Sequence, residues 1–347
     1  MYTNHIIYQN YIRIFMSIGF GLIGASSIAR DVMIAAIRSH PNCQVKSVFS
    51  TNIERGKQYA LENNIPKAQG SLEDLLNDDD IHAVYISTTN ELHHQQVLSS
   101  ARAGKHILCE KPLAMSLDEA QEMISICKDE DVVLATNHQL RVGDGVRKMQ
   151  DLIAEGAIGK PLAARVFHAV YLPEHLQGWR LSDPKAGAGV VLDIVVHDID
   201  TLRCILKAEP REVVSLSQHA GMAKHGAVED GNMSVFRFEN DLIAQIHTSF
   251  LVKYAGDGIE IHGTEGSISI NDFLGRESSG PVILKNADGE HHFDATQHSI
   301  DEKTINFFVD AIKSGTKPGC TGEDGERSLA AAIACLESAK TGKCIKI

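Results

Sequence analysis

The chain has 347 residues, 43% of them hydrophobic and 22% charged, with a formal net charge of -12, which is enough for two domains of ordinary size, each with its own core. The acidic balance and the lack of a polybasic run argue against nucleic acid or an anionic membrane as partner and leave a small molecule. The seven cysteines are an odd number without CxxC spacing, several of them inside apolar runs, and this suits a reducing cytoplasm better than a disulfide framework.

Residues 1–16 read as an N-terminal extension, with Met16 able to serve as initiator. They lack the basic start and small-residue cleavage site of a signal peptide, and no apolar run in the chain approaches the roughly twenty residues of a membrane helix. From Ser17 short apolar runs alternate with helical stretches: IGFGLIG, then a helix over 28–39; VKSVFS (45–50), then 53–63; AVYIS (83–87), then 91–103; and HILC (106–109), a helix over 116–128, and VVLATN (132–137). Continuous apolar strands each followed by a helix mark parallel strands buried on both faces, so 17–138 are expected to form a doubly wound, Rossmann-type α/β domain.

After a helix over about 144–155, longer alternating runs follow: ARVFHAVYL, EVVSLSQHA, NMSVFRFEN, LIAQIHTSFL and GIEIHGTEGSISI. Period-2 patterning in consecutive segments predicts, for 139–347, an α+β domain with a large, mostly antiparallel sheet. No low-complexity linker, repeat or long charge block separates the halves, so the domains should abut, with the cleft between them as the natural site. The C-terminal helix could pack back on the first domain, and one sheet face could pack on a second copy to make a homo-oligomer.

Gly24-Ala25-Ser26-Ser27-Ile28-Ala29 follows the first strand and opens the first helix, the context of a dinucleotide fingerprint. It departs from G-x-G-x-x-G: Gly24 can make the tight turn, Ser26 stands for the second glycine and could donate its hydroxyl to a pyrophosphate, and Ala29 is small enough for helix packing. The second strand ends in Ser50-Thr51-Asn52 with Arg55 one turn later, where a carboxylate would otherwise hold a ribose 2'-hydroxyl. Hydroxyls and a guanidinium suit a 2'-phosphate, although Arg55 also reads as a solvated helix residue. Thr88 to His93 lie at the carboxyl edge of the sheet; Thr89 or Asn90 would make a good N-cap, and His93 and His94 could simply pack or face water.

Lys111, in Lys105-His106-Ile107-Leu108-Cys109-Glu110-Lys111-Pro112, stands where an apolar strand empties into a loop. An amine there would be partly desolvated and useful in proton transfer; the alternative is a polar turn. Asp193 and His197 are spaced i,i+4 on an expected helix, where a carboxylate can orient an imidazole, or where the two form a surface ion pair; Asp198 and Asp200 read as ordinary helix charges. No third ligand accompanies the pair, so no metal is expected. Trp179 and Arg180, on the loop before that helix, suit stacking on a ring or gripping hydroxyls, with Trp179 equally readable as a packing plug.

STTNELH, GKHILCEKPLAM, ARVFHAVYLPEHLQGWRL and VVLDIVVHDIDTLR together resemble the Gfo/Idh/MocA family of NAD(P)-dependent sugar oxidoreductases, and the resemblance runs from Ser17 to the end. It implies that Lys111 polarises a substrate carbonyl and contacts the nicotinamide ribose, that His197 donates the proton, and that Asp193 positions substrate or acid. It further implies a cofactor lined by Ala25, Ser26, Ser27, Ile28, Ser50, Thr51, Arg55, Thr88, Thr89, Asn90, Glu91, Leu92, His93, Glu110, Lys111, Asn137, Trp179 and Arg180 beside the Gly24 turn, and a cis peptide bond before Pro112. Asp301 departs from the pattern, standing where a tyrosine precedes the C-terminal helices. The expected activity is NADP(H)-dependent reduction of a small cyclic keto-sugar. A NAD-dependent sugar or inositol dehydrogenase running the other way, and a non-catalytic NADP-binding sensor, are the alternatives.

Overall fold

The computed structural model describes residues 17–223, 228–272, 280–295 and 299–347; the expected extension 1–16 lies outside them. Two compact units make up the chain. The first comprises the chain up to Leu113, Asp118–Asn137 and Asp301–Gly322, and the second comprises Ala114–Leu117, His138–Ile300 and Glu323–Ile347.

In the first unit six strands, β1 (Ile18–Ile23), β2 (Cys43–Phe49), β3 (Lys67–Gln69), β4 (Ala83–Ile86), β5 (His106–Cys109) and β6 (Leu134–Thr136), pair in parallel in the order β3-β2-β1-β4-β5-β6. Every residue of β1 and β4 is buried, because helices cover both faces of such a sheet. The helices are α1 (Ile34–Ser39), α2 (Ile53–Glu62), α3 (Leu72–Leu76), α4 (His93–Arg102) and α5 (Leu117–Asp129). The order reverses direction between β1 and β4, the point at which doubly wound sheets bind ligands outside their carboxyl ends.

The second unit is built on a nine-stranded sheet, ordered β14-β13-β12-β11-β7-β10-β9-β8-β15. Its strands are β7 (Pro161–Ala169), β8 (Pro210–Gln218), β9 (Gly231–Phe238), β10 (Ile243–Ser249), β11 (Asp257–Gly263), β12 (Gly266–Asn271), β13 (Val282–Asn286), β14 (Gly289–Phe293) and β15 (Ile345–Lys346). The pairings are antiparallel except β7 with β10, so the sheet is mixed. Alternate residues of β9 are buried and exposed, the mark of a sheet with one face packed and one open. Helices α6 (Asp144–Ala154) and α7 (Val196–Leu206) belong to this unit.

The chain closes with α8 (Ile300–Ser314) and α9 (Gly322–Thr341). Residues 301–322 belong to the first unit, whereas the sequence pattern assigns 139–347 to the second domain and allows a C-terminal helix to pack back on the first. The reason is apolar. Ile305, Phe308 and Val309 are fully buried in the core cluster that contains Phe20, Leu22 and Met33, with the Phe308 ring 6.1 Å from that of Phe20. Apart from Ala114–Leu117, the chain passes to the second unit between Asn137 and His138, one residue before the expected position.

Asp198 and Asp200 are not the ordinary helix charges that their spacing suggests, since both are fully buried. Asp200 accepts from Arg141 at 3.2 Å and from the Ser328 hydroxyl at 3.0 Å, and lies 3.4 Å from Arg203. Asp198 lies 2.8 Å from His168 Nδ1. Buried carboxylates need such partners, and here the partners come from segments far away in sequence. Among the described residues no helix is long and apolar enough to cross a membrane.

Truncating Phe308 to Ala should destabilise the protein by about 3–5 kcal/mol, measured as a lower denaturation midpoint. A change within error would mean that α8 does not complete the first unit's core.

Candidate active site

The carboxyl ends of the first unit's strands form a single row. Beyond the last residue of each strand the ladder continues by one bond: Ser50 N–H donates to Gln69 O at 3.2 Å, Gly24 to Phe49 O at 3.1 Å, Ser87 to Ile23 O at 3.0 Å, Glu110 to Ile86 O at 2.9 Å and Asn137 to Cys109 O at 2.7 Å. The sheet thus brings the expected cofactor segments to one edge although 87 residue numbers separate Ser50 from Asn137.

At the first turn Gly24 has φ +108°, and a Cβ there would sit 3.1 Å from Thr88 Cγ2 and 3.3 Å from the Ser87 carbonyl. Only glycine fits without strain. Ser26 differs from expectation in what its hydroxyl already does: Oγ accepts from Ala29 N–H at 3.1 Å and lies 2.7 Å from Ser87 Oγ. It stands at the start of a helical segment whose residues Ser27 and Ile28 lead into a π turn, Ala29–Met33, before α1. Ala25 is buried, and Ser27 and Ile28 are half-buried beside it. Arg55 donates to the Ala25 carbonyl at 2.7 Å, and the Tyr59 hydroxyl donates to Ser26 O at 2.9 Å. Burial pushes the Tyr59 phenol up to about 12, so it remains a donor.

The end of β2 leads into a helix N-terminus. Asn52 accepts from Arg55 N–H at 3.0 Å, Ser50 is buried and Thr51 exposed. The acid in this first turn, Glu54, is exposed and held by Lys57 at 2.8 Å.

Thr88 donates to Gln96 at 2.7 Å, and Thr89 donates to Glu91 at 2.8 Å instead of capping the short 3-10 turn Asn90–Leu92. Glu91 and Leu92 are exposed. The His93 ring is fully buried, with Nδ1 3.0 Å from the Pro112 carbonyl and Nε2 making no hydrogen bond among the described residues. His93 therefore supports the Lys111-Pro112 segment from beneath. His94, 2.8 Å from Glu122, is half-buried.

After β5, Glu110 accepts from the Tyr85 hydroxyl at 2.5 Å and from Asn137 Nδ2 at 2.6 Å. Tyr85 is fully buried in β4 and carried no sequence signal beyond its apolar run. The clamp fixes the residue next to Lys111, which is half-buried and followed by a cis bond to Pro112. Asn137 is wholly buried and its Oδ1 has no hydrogen-bond partner, an acceptor that a carboxamide or a ribose hydroxyl would satisfy. That orphan and the glycine-only turn fit a nicotinamide dinucleotide.

In the second unit Asp193 lies in another π turn, Val191–Val195, and His197 in α7, which continues it. The π turn Val191–Val195 runs directly into α7, so the two residues share one continuous helical segment. Asp193 Oδ2 stands 3.6 Å from Arg180 Nε, and the Arg180 guanidinium lies over the Trp179 ring at 4.7 Å. The structure thus gathers Trp179, Arg180 and Asp193. His197 has its Nδ1 3.3 Å from Nδ1 of His138. Sequence reasoning passed over His138, directly after a strand-end asparagine, and over the His168 and Asp198 pair, whose members are thirty residue numbers apart.

Residues 18–138 match the description "Oxidoreductase family, NAD-binding Rossmann fold", and 146–269 match "GFO/IDH/MocA C-terminal domain". The chain belongs to the Gfo/Idh/MocA family of oxidoreductases. A 1,5-anhydro-D-fructose reductase of Ensifer adhaerens is 51% identical over 94% of this chain and 98% of its own. A myo-inositol 2-dehydrogenase of Thermotoga maritima is 29% identical over 95% and 97%. Among solved structures, levoglucosan dehydrogenase in complex with NADH and L-sorbose has a TM-score of 0.85 at 25% identity, covering 96% of this chain and 99% of its own. Aldose-aldose oxidoreductase from Caulobacter crescentus, at 21% identity and TM-score 0.87 over 95% and 100%, shares the fold.

Burial holds the His93 imidazole below its ordinary 6.5. The unfolded chain therefore binds the proton more tightly, and the stability that neutral His93 contributes is full above about pH 6.5 and is lost as pH falls below it. The denaturation midpoint of the wild type should drop more steeply between about pH 7 and 5 than that of His93→Asn. Parallel curves would show that His93 is not a buried neutral ring.

Proposed function

We propose that this family member reduces a small cyclic keto-sugar with NADPH, and that the substrate is 1,5-anhydro-D-fructose, giving 1,5-anhydro-D-mannitol. The observation that carries the substrate is the 51% identity, across 94% of the chain, to a 1,5-anhydro-D-fructose reductase. Support for a 2'-phosphate comes from the end of β2, where Ser50 and Thr51 precede a helix N-terminus and Arg55 is held at the dinucleotide turn. Hydroxyls, helix N–H groups and a guanidinium all favour an anion.

When bound, the reduced nicotinamide supplies the hydride. Gly24 to Ile28 and Thr88 to His93 would hold the dinucleotide through backbone and hydroxyl groups, with Glu110, Asn137, Trp179 and Arg180 completing its surroundings. Lys111, fixed in place by the Glu110 clamp on one side and His93 beneath Pro112 on the other, stabilises the negative charge that grows on the carbonyl oxygen. His197 delivers the proton to that oxygen, and Asp193, paired with Arg180, positions the substrate. The protein works in the cytoplasm. Two copies would pair through the open sheet face, where Val214, Leu216, Met233 and Val235 of β8 and β9 are exposed.

The second reading, an NAD-dependent sugar or inositol dehydrogenase, is supported by the likeness to a myo-inositol 2-dehydrogenase. Cofactor preference separates the two. Wild-type protein should oxidise NADPH with 1,5-anhydro-D-fructose much faster than NADH, and Ser50→Asp should shift the ratio toward NADH by about tenfold or more, because a carboxylate repels the 2'-phosphate. Equal use of both by the wild type would remove the assignment of this strand end. Lys111→Met should lower kcat on the order of 10²- to 10³-fold while NADPH still binds, read by fluorescence titration. Turnover near wild type would take Lys111 out of the chemistry.

A further inference from the structure

The strongest unassigned contact near the chemistry is that between two imidazoles. His138 and His197 are both buried, 2% and 8% exposed, with Nδ1 atoms 3.3 Å apart and rings 5.1 Å apart, perpendicular to each other. A bond between two imidazole nitrogens has one proton, so one Nδ1 donates and the other accepts. The contact therefore couples the tautomer of each ring to the other, and it decides which nitrogen of His197 is left for the substrate.

We infer, with His197 taken as the proton donor, that His138 is its positioning residue. His138 is neutral with its proton on Nε2, a buried nitrogen that makes no hydrogen bond among the described residues, and its Nδ1 accepts the Nδ1–H of His197. This holds the His197 ring by one nitrogen and assigns the acid to Nε2. It also stabilises the imidazolium, whose buried Nδ1–H would cost free energy without an acceptor. In reduction the Nε2–H bond of His197 breaks and the O–H bond of the product alcohol forms. The ring is left neutral, its Nδ1–H still bound to His138. In oxidation the same proton returns to Nε2.

His138 itself is anchored through the neighbouring 3-10 turn, Gln139–Val142, whose Arg141 lies 3.2 Å from Asp200 of α7 and 3.1 Å from Asp324. The helix that carries His197 and the turn that begins at His138 are thus tied together by a buried ion pair as well as by the imidazole contact.

The test compares His138→Phe, which keeps a ring but offers no acceptor, with His138→Asn, whose amide oxygen can stand where Nδ1 was. His138→Phe should lower kcat about 10- to 100-fold with KM for NADPH and keto-sugar little changed, and His138→Asn should recover most of that loss. In a His197→Ala background the Phe substitution should have no further effect. If His197→Ala leaves kcat unchanged, the reading of His197 as the acid fails. If His197→Ala is slow but His138→Phe turns over like wild type, or Phe and Asn lose equally, the positioning role alone is overturned. Nitrogen NMR of wild-type protein labelled with ¹⁵N-histidine gives a check that does not depend on either variant folding: His138 Nδ1 should be unprotonated and His197 Nδ1 protonated, and a protonated Nδ1 on His138 would overturn the assignment.

Discussion

A row of backbone hydrogen bonds one residue past the strand ends, from Gly24 through Ser87 and Glu110 to Asn137, is the constraint on which the rest of the first unit depends. Parallel strands in this order must end on the same edge, and each crossover helix must begin there, so every turn that could touch a cofactor is delivered to one line. The row also sets the chemistry of its members. Glu110 is close enough to Asn137 and to the Tyr85 hydroxyl to accept from both, and the next residue is Lys111. A strand displaced by one residue would turn its own side chains, and with them its member of the row, to the other face.

The second unit is held by buried charge as well as by apolar packing. Arg203, 4% exposed, donates to Glu209 and to the Ser328 hydroxyl and lies beside Asp200. Removing one partner from such a network would leave a desolvated charge, so α7 and the segments around it form a rigid support. His197 stands in the first turn of that helix. The consecutive residues Asn137 and His138 divide their bonds between the two units, Asn137 to Glu110 and His138 to His197.

Much of the fold is legible in local pattern. IGFGLI, AVYI and HILC read as strands because both faces of a parallel sheet are dry, and the alternation in NMSVFRF shows a sheet with an open face. The candidate site is legible where residue type and position agree: a glycine at a strand exit, hydroxyls at the next, a lysine at a third. Long-range pairing is what local pattern cannot show. Asp198 and Asp200 look like helix charges because His168, Arg141 and Ser328 lie elsewhere in the chain, and the return of Phe308 to the first unit is invisible until Phe20 is beside it. The π turns at Ala29–Met33 and Val191–Val195 escape for another reason: periodicity averages over a window longer than one turn, so an extra residue in that turn shifts a face without changing the pattern.

The central claim is that hydride passes from a bound nicotinamide to a keto-sugar carbonyl. Incubation of the protein with 1,5-anhydro-D-fructose and NADPH carrying deuterium at both C4 positions of the dihydronicotinamide tests it directly, with the product examined by mass spectrometry and NMR. The expected product is 1,5-anhydro-D-mannitol with deuterium on the carbon that was the carbonyl. An unlabelled alcohol, or tight binding of NADPH with no turnover of any keto-sugar, would contradict it.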